Sequence, residues 1–199
     1  MAEEKMGRRA RKKQQTRQEI LDAAVQNFAA KGYSKTSIAD IMEQADLGTG
    51  TFYNYFDSKE DVLRCLLERL VTRVHDALRE NKAAGKSQIE LLDIACQITA
   101  EFLDANRFVL PLFLSAATMT EVREQGENIP TPGFKPVYKS IIEAGQQDGE
   151  IRTDIPSDLI AEMFHSIFQA AAFSKLKISF QENVAMKTRL LLDGIRKQN

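Results

Sequence analysis

The sequence predicts an all-α protein with a small three-helix N-terminal part, one long connecting helix and a larger helical body. Two observations predict it. Apolar residues recur three and four positions apart through most of the 199 residues, which is the spacing of one helix face. Ser or Thr also stands three positions before Glu or Asp at Thr16–Glu19, Ser37–Asp40, Ser58–Asp61 and Ser179–Glu182, the spacing of a capping box, and a run of that kind follows each pair. With 43% hydrophobic residues the chain can bury a substantial core.

The elements follow in order. Thr16 with Glu19 opens a first helix whose inner face is Ile20, Leu21, Ala24, Val25 and Phe28, and Gly32 stops it. Ser37 with Asp40 opens a second, with Ile38, Ile41 and Met42 inward. Ala45 to Gly48 then has the length of the turn in a helix-turn-helix, and a short aromatic-rich helix follows it. Phe52, Tyr55 and Phe56 anchor that helix, which is too short to hold itself by propensity.

Ser58 with Asp61 starts the long helix, with Val62, Leu63, Leu66, Leu67, Leu70, Val71 and Val74 on one face, broken between Asn81 and Lys86. Further helices are expected from about Ser87 to Leu103, around Pro111 to about Glu124, and from about Phe134 to Gln146. Gly126 to Pro136 reads as a loop, because Pro130, Pro132 and Gly133 interrupt it. Two last helices run from Pro156 to about Ala172 and onward from Ser179. The first has an apolar face wider than a lone surface helix needs, so the pair suits a two-fold, four-helix interface. Leu159, Met163, Ile167, Leu191 and Ile195 are the candidates for it.

Charge separates the two ends. Lys5, Arg8, Arg9, Arg11, Lys12, Lys13 and Arg17 face only Glu3 and Glu4, while the whole chain has a formal net charge of -1. A basic arm over residues 1–13, disordered without its partner, suits a phosphate backbone or a minor groove. Beside it, Gly48 and Gly50 keep the start of the short helix narrow enough for close approach to nucleic acid. Thr49, Thr51 and Asn54 offer small neutral hydrogen-bonding groups, and Tyr53 and Lys59 can reach phosphates.

Four strings carry a resemblance: T-R-x-x-I-L-D-A-A from Thr16, K-G-Y from Lys31, T-S-I-A-D-I from Thr36, and G-T-F-Y-N-Y-F-x-S-K-E from Gly50. Over Thr16 to Leu63 the chain resembles the TetR family of transcriptional regulators. It departs from the family pattern at Asp46, where glycine is common, and at Gly48, where serine is common; Asp tolerates left-handed backbone, so the turn survives. Thr49 also replaces a residue that is often basic.

The resemblance implies a helix-turn-helix domain over 14–57 and a ligand-binding and dimerisation domain over 58–199. It implies a homodimer on a palindromic double-stranded operator, with Thr49, Thr51 and Asn54 toward base edges and Ser37, Tyr53 and Lys59 on phosphates. It further implies repression, relieved by a small effector. The residues favour an apolar or amphipathic molecule, and Phe102, Phe108, Leu112, Phe113, Met119, Phe164 and Phe168 are candidates to line its cavity, with His165 as the one polar group. A regulator without a small-molecule ligand, controlled by a protein partner, is the alternative reading.

Other chemistry is not expected. His75 and His165 have no partner at metal-ligand spacing, no nucleophile-base arrangement or phosphate loop is evident, and neither a cofactor nor an enzyme is predicted. The longest apolar run, Phe108 to Ala117, is too short for a bilayer and contains Pro111. Cys65 and Cys96 read as reduced core residues of a cytoplasmic protein.

Overall fold

The computed structural model describes residues 7–111, 113–114 and 134–197. It contains α1 (Arg8–Lys31), α2 (Ile38–Gln44), a 3-10 helix (Thr49–Asn54), α3 (Lys59–Ala83), α4 (Gln88–Ala105), a second 3-10 turn (Arg107–Val109), α5 (Phe134–Gln147), α6 (Ser157–Ala172) and α7 (Phe180–Ile195). Among the described residues the one β-type pairing is an isolated antiparallel bridge between Ile151 and Arg196. The chain divides into two compact units: one runs to Leu66 and includes Asn106–Phe108, and the other holds Leu67–Ala105 and the chain from Val109 on.

The first unit forms around α1, α2 and the 3-10 helix. Ile20, Leu21, Ala24 and Phe28 of α1, Ile41 and Met42 of α2, and Phe52, Phe56, Val62 and Leu63 beyond them are all buried. Gly32 ends α1 with φ 81, a left-handed conformation that favours glycine. Buried polar groups tie the corner that follows. Thr36 Oγ1 donates to the carbonyls of Gly32 at 2.9 Å and Asn27 at 3.2 Å, and Asn27 Nδ2 donates to the Ala23 carbonyl at 3.0 Å.

Two expectations change here. The basic stretch is helical from Arg8 onward and is not a disordered arm; residues 1–6 of the expected arm lie outside the described residues. Thr16 therefore sits inside α1 and caps nothing. Arg, Lys, Gln and Ala are among the strongest helix formers, and nothing between Gly7 and Thr16 interrupts them. The expected short recognition helix is a 3-10 helix, a form used for pieces of this length.

In the second unit α4 packs on α5 and α7, and α6 packs on the same two, so four helices close a ring. Leu92, Ala95, Cys96, Tyr138, Ile142, Ile160, Phe164, Phe168, Val184 and Leu192 fill it. Ser87 and Glu90 cap the start of α4 reciprocally: Glu90 N donates to Ser87 Oγ at 3.2 Å and Ser87 N to Glu90 Oε2 at 2.9 Å. A second carboxylate reaches the same helix end, where Glu150 Oε2 accepts from Gln88 N at 2.8 Å. No helix among the described residues is long and apolar enough to cross a membrane.

Candidate DNA interface and aromatic cluster

Ser37 caps α2 in a full capping box. Its hydroxyl accepts from Asp40 N at 3.0 Å and donates to Asp40 Oδ2 at 2.7 Å, and Ser37 N donates to the same carboxylate at 2.8 Å. Lys31 Nζ adds a contact to Asp40 Oδ1 at 2.7 Å. The Lys31 hydrogen bond and those of Ser37 hold the Asp40 carboxyl well below the usual carboxylate range. After α2, Asp46 takes φ 54, so the left-handed turn predicted for this non-glycine residue is present.

Gly48 leads in with extended backbone, and Thr51 N donates to its carbonyl at 2.8 Å to close the 3-10 helix. Phe52 and Phe56 are buried with ring centroids 5.7 Å apart, and Tyr53 meets Phe52 edge-on at 5.5 Å. That anchor turns Thr49, Gly50, Tyr53 and Asn54 to solvent, while Thr51 is half-buried. Tyr53 is 62% exposed, unusual for so large an apolar ring.

Lys59 begins α3 and is engaged inside the unit. Its ammonium donates to the carbonyls of Thr36 at 2.6 Å and Tyr33 at 3.2 Å and lies 4.7 Å from the Tyr33 ring centroid. The Tyr33 hydroxyl donates to Glu60 Oε1. Burial and that carboxylate push the Tyr33 hydroxyl up, and its hydrogen bond pulls the Glu60 carboxyl down. Arg17, from α1, donates to Cys65 Sγ at 2.5 Å and stacks 4.8 Å over the Phe56 ring. Sequence reasoning missed Tyr33, Glu60, Asn27 and Arg17 as struts of this unit; the K-G-Y and S-K-E strings were the available signal. Arg8, Arg9 and Arg11 are exposed on the first turn of α1.

The candidate effector residues do not all gather. Phe113 packs against Phe134 at 5.0 Å, Phe168 at 5.4 Å and the His165 ring at 5.2 Å, the last nearly parallel. Phe164 stacks on Tyr138 at 5.4 Å instead. Burial lowers the His165 pKa, which favours neutral imidazole among these rings. Phe102 is half-buried on α4. Phe108 leaves the cluster: its ring tilts against Phe28 at 5.3 Å in the first unit. It falls where the chain returns to that unit, and its apolar run gives no sign of the change. Leu112 and Met119 lie outside the described residues.

The interface candidates divide as well. Leu159 and Met163 on α6 are exposed, whereas Ile167 and Ile195 are buried within the chain and Leu191 is half-buried. Met186 and Leu190 on α7 and Phe173 after α6 are exposed in their place, Leu190 to 75%. Ile195 is held inward because the bridge beside it folds the chain back: Arg152 N donates to its carbonyl at 2.9 Å.

Comparison with known proteins bears on this geometry. Residues 20–66 match the family model described as bacterial regulatory proteins, tetR family. The chain is 30% identical over 161 residues to the HTH-type transcriptional repressor DhaR of Mycobacterium sp. strain GP1, covering 78% of this chain and 79% of that protein. It is 28% identical over 149 residues to the fatty acid metabolism regulator protein of Bacillus subtilis strain 168, covering 73% and 75%. The solved structure of Thermus thermophilus FadR, a TetR family transcriptional repressor in complex with lauroyl-CoA, has the same fold. It aligns with a TM-score of 0.66 at 23% identity, over 92% of this chain and 96% of that one.

Proposed function

Since this chain belongs to the TetR family of transcriptional regulators, we propose that it is a repressor that binds a palindromic operator as a homodimer and is released by a small apolar or amphipathic effector. The observation that carries the DNA part is the 3-10 helix, which exposes Thr49, Gly50, Tyr53 and Asn54 on a buried Phe52–Phe56 mount. Thr49, Thr51 and Asn54 read base edges. Ser37, Tyr53 and Lys59 meet phosphates, and Arg8, Arg9 and Arg11 add charge along the backbone.

The Lys59 ammonium, already on two carbonyls, brings its remaining donor to a phosphate. Gly50 supports close approach for a separate reason: a Cβ there would meet nothing of its own chain within 4 Å, and its φ is not left-handed. The fold thus makes no demand for glycine at this position. A body outside the chain does.

The effector is held near Phe113, Phe164, His165 and Phe168. Neutral His165 offers a hydrogen bond to an ester, thioester or hydroxyl while the rings take an apolar chain. The lauroyl-CoA of the FadR structure has that combination of groups. Two protomers join through Leu159, Met163, Met186 and Leu190, whose exposed area on neighbouring helices suits an isologous four-helix contact. Because α3 runs from the first unit into the second, a shift of this helix couples effector to DNA.

Selection of bound sites from random duplexes tests the reading. Palindromes with half-sites about one helical turn apart are the expected product. Duplex capture without a two-fold sequence would defeat the dimeric repressor, and no capture at low salt would defeat DNA binding altogether.

A further inference from the structure

A groove of about 300 Å³ runs between α4 and α7, and none of its lining residues is a member of the aromatic cluster. Its apolar lining comes from Ala100, Val184 and Ala185, and three carboxylate residues, Asp93, Glu101 and Glu182, share the lining with no lysine or arginine. Two cations stand near it: Arg73 reaches Glu101 at 3.4 Å in an exposed pair, and the charge of Arg189 acts on Asp93. An exposed pair of this kind contributes little and yields to a better partner. Burial raises the Asp93 carboxyl, against the pull of Arg189 and of the Gln97 amide that donates to it at 2.8 Å.

Thr188 supplies an independent sign. Its side chain is fully buried in the groove lining, and its hydroxyl has the Cys96 thiol, a weak partner, as its one polar contact and meets no oxygen or nitrogen acceptor among the described residues. Buried helical threonines ordinarily settle the hydroxyl on the carbonyl four residues back, as Thr99 does on Ala95 at 2.7 Å. Thr188 does not do so onto Val184. A buried hydroxyl served only by a thiol is poorly satisfied, and a groove beside it offers a place for a stronger partner.

We propose that the α4–α7 groove is a second small-molecule site, distinct from the aromatic cluster, and that it takes an amphipathic amine. The alkyl part lies along Ala100, Val184 and Ala185. The ammonium group donates to the Thr188 hydroxyl and to the carboxylates around it. Ala185 and Thr188 stand about 100° or more around α7 from Met186 and Leu190, so occupation of the groove leaves the proposed dimer face uncovered.

Isothermal calorimetry on the full chain tests this with n-octylammonium, n-octanol and octanoate as probes. In the Phe113→Ala chain, which removes the aromatic cluster, octylammonium should bind about tenfold or more tighter than octanol, the value of one charged hydrogen bond, and octanoate should not bind. Ala185→Trp fills the groove at an exposed position and should abolish binding, with an unchanged far-UV spectrum. Thr188→Val preserves shape and should weaken octylammonium alone, which keeps the test open if the tryptophan variant folds poorly. Phe113→Ala should leave octylammonium affinity unchanged. Equal binding of octanol and octylammonium in Phe113→Ala, or octylammonium binding that survives Ala185→Trp but is lost in Phe113→Ala, overturns the proposal, as does an absence of heat with octylammonium.

Discussion

Gly50 and Asp40 show how single residues of the first unit divide between fold and partner. A Cβ at Gly50 meets open space on ordinary backbone, so Gly50→Ala should leave the melting temperature unchanged or raise it, since alanine restricts the unfolded chain. Operator affinity in a fluorescence titration should nevertheless fall about tenfold, the energy of one lost base contact. Unchanged affinity would remove the argument for close approach. Asp40 behaves oppositely. Its carboxyl is depressed in the folded state by Lys31 and Ser37, so its contribution is complete above the unfolded carboxylate pKa, fades as pH falls below it and is gone once pH has fallen through the lower folded value. Asp40→Asn should therefore melt below the parent at pH 7, and the gap should close in acid. A gap independent of pH would assign the loss to shape and not to charge. Cys96 gives a third residue-scale test. Burial pushes its thiol up to about 12, so a disulfide reagent at pH 8 should label it only as fast as the second unit opens. Immediate labelling of the native protein would contradict that burial.

At the scale of elements, the corner after α5 depends on a glycine for space. A Cβ on Gly145 would lie 2.6 Å from Ile151 Cδ1, 2.8 Å from Ile151 Cγ1 and 3.1 Å from Gln88 Cβ, so Gly145→Ala must displace the buried Ile151 side chain. Overpacking of this kind costs about 1 to 3 kcal/mol, and urea denaturation should show the loss as a lower midpoint with an unchanged slope. Nothing in the sequence marks that corner. Glu150, which caps α4 from 62 positions away, and the Ile151–Arg196 bridge are likewise contacts between distant segments, and periodicity reports only on neighbours. What was legible was local: the caps at Ser37 and Ser179, the stop at Gly32, the break between Asn81 and Lys86, and the left-handed turn at Asp46. The start of α1 was misread because a capping-box spacing at Thr16 resembles a beginning even inside a helix. Ile167 and Ile195, expected at an interface, are buried within the chain for a related reason. Helical spacing says that residues share a face, but which faces the rest of the fold covers is decided by packing.

The whole molecule raises the question of how one chain with a net charge of -1 holds a polyanion. On the proposed reading, local charge at Arg8, Arg9 and Arg11 supplies the attraction, and one short 3-10 helix would read too few bases to discriminate among sites. In the proposed repressor two copies at fixed spacing solve that problem, and the exposed α6–α7 face bearing Leu159, Met163, Met186 and Leu190 is the proposed place for them to meet. The double variant Met163→Glu, Leu190→Glu puts carboxylates on both sides of that two-fold contact, while both positions are exposed in the single chain and should not disturb its fold. Sedimentation should then report a monomer with the parent's helical spectrum. Operator affinity should fall far more than affinity for random duplex, because the non-specific term needs only the charges of one chain whereas specificity needs both recognition segments at once. A dimer that survives both glutamates would move the contact to another face. A monomer that keeps its preference for the operator would mean that one 3-10 helix suffices, and the two-fold argument would fail even though the chain still bound DNA.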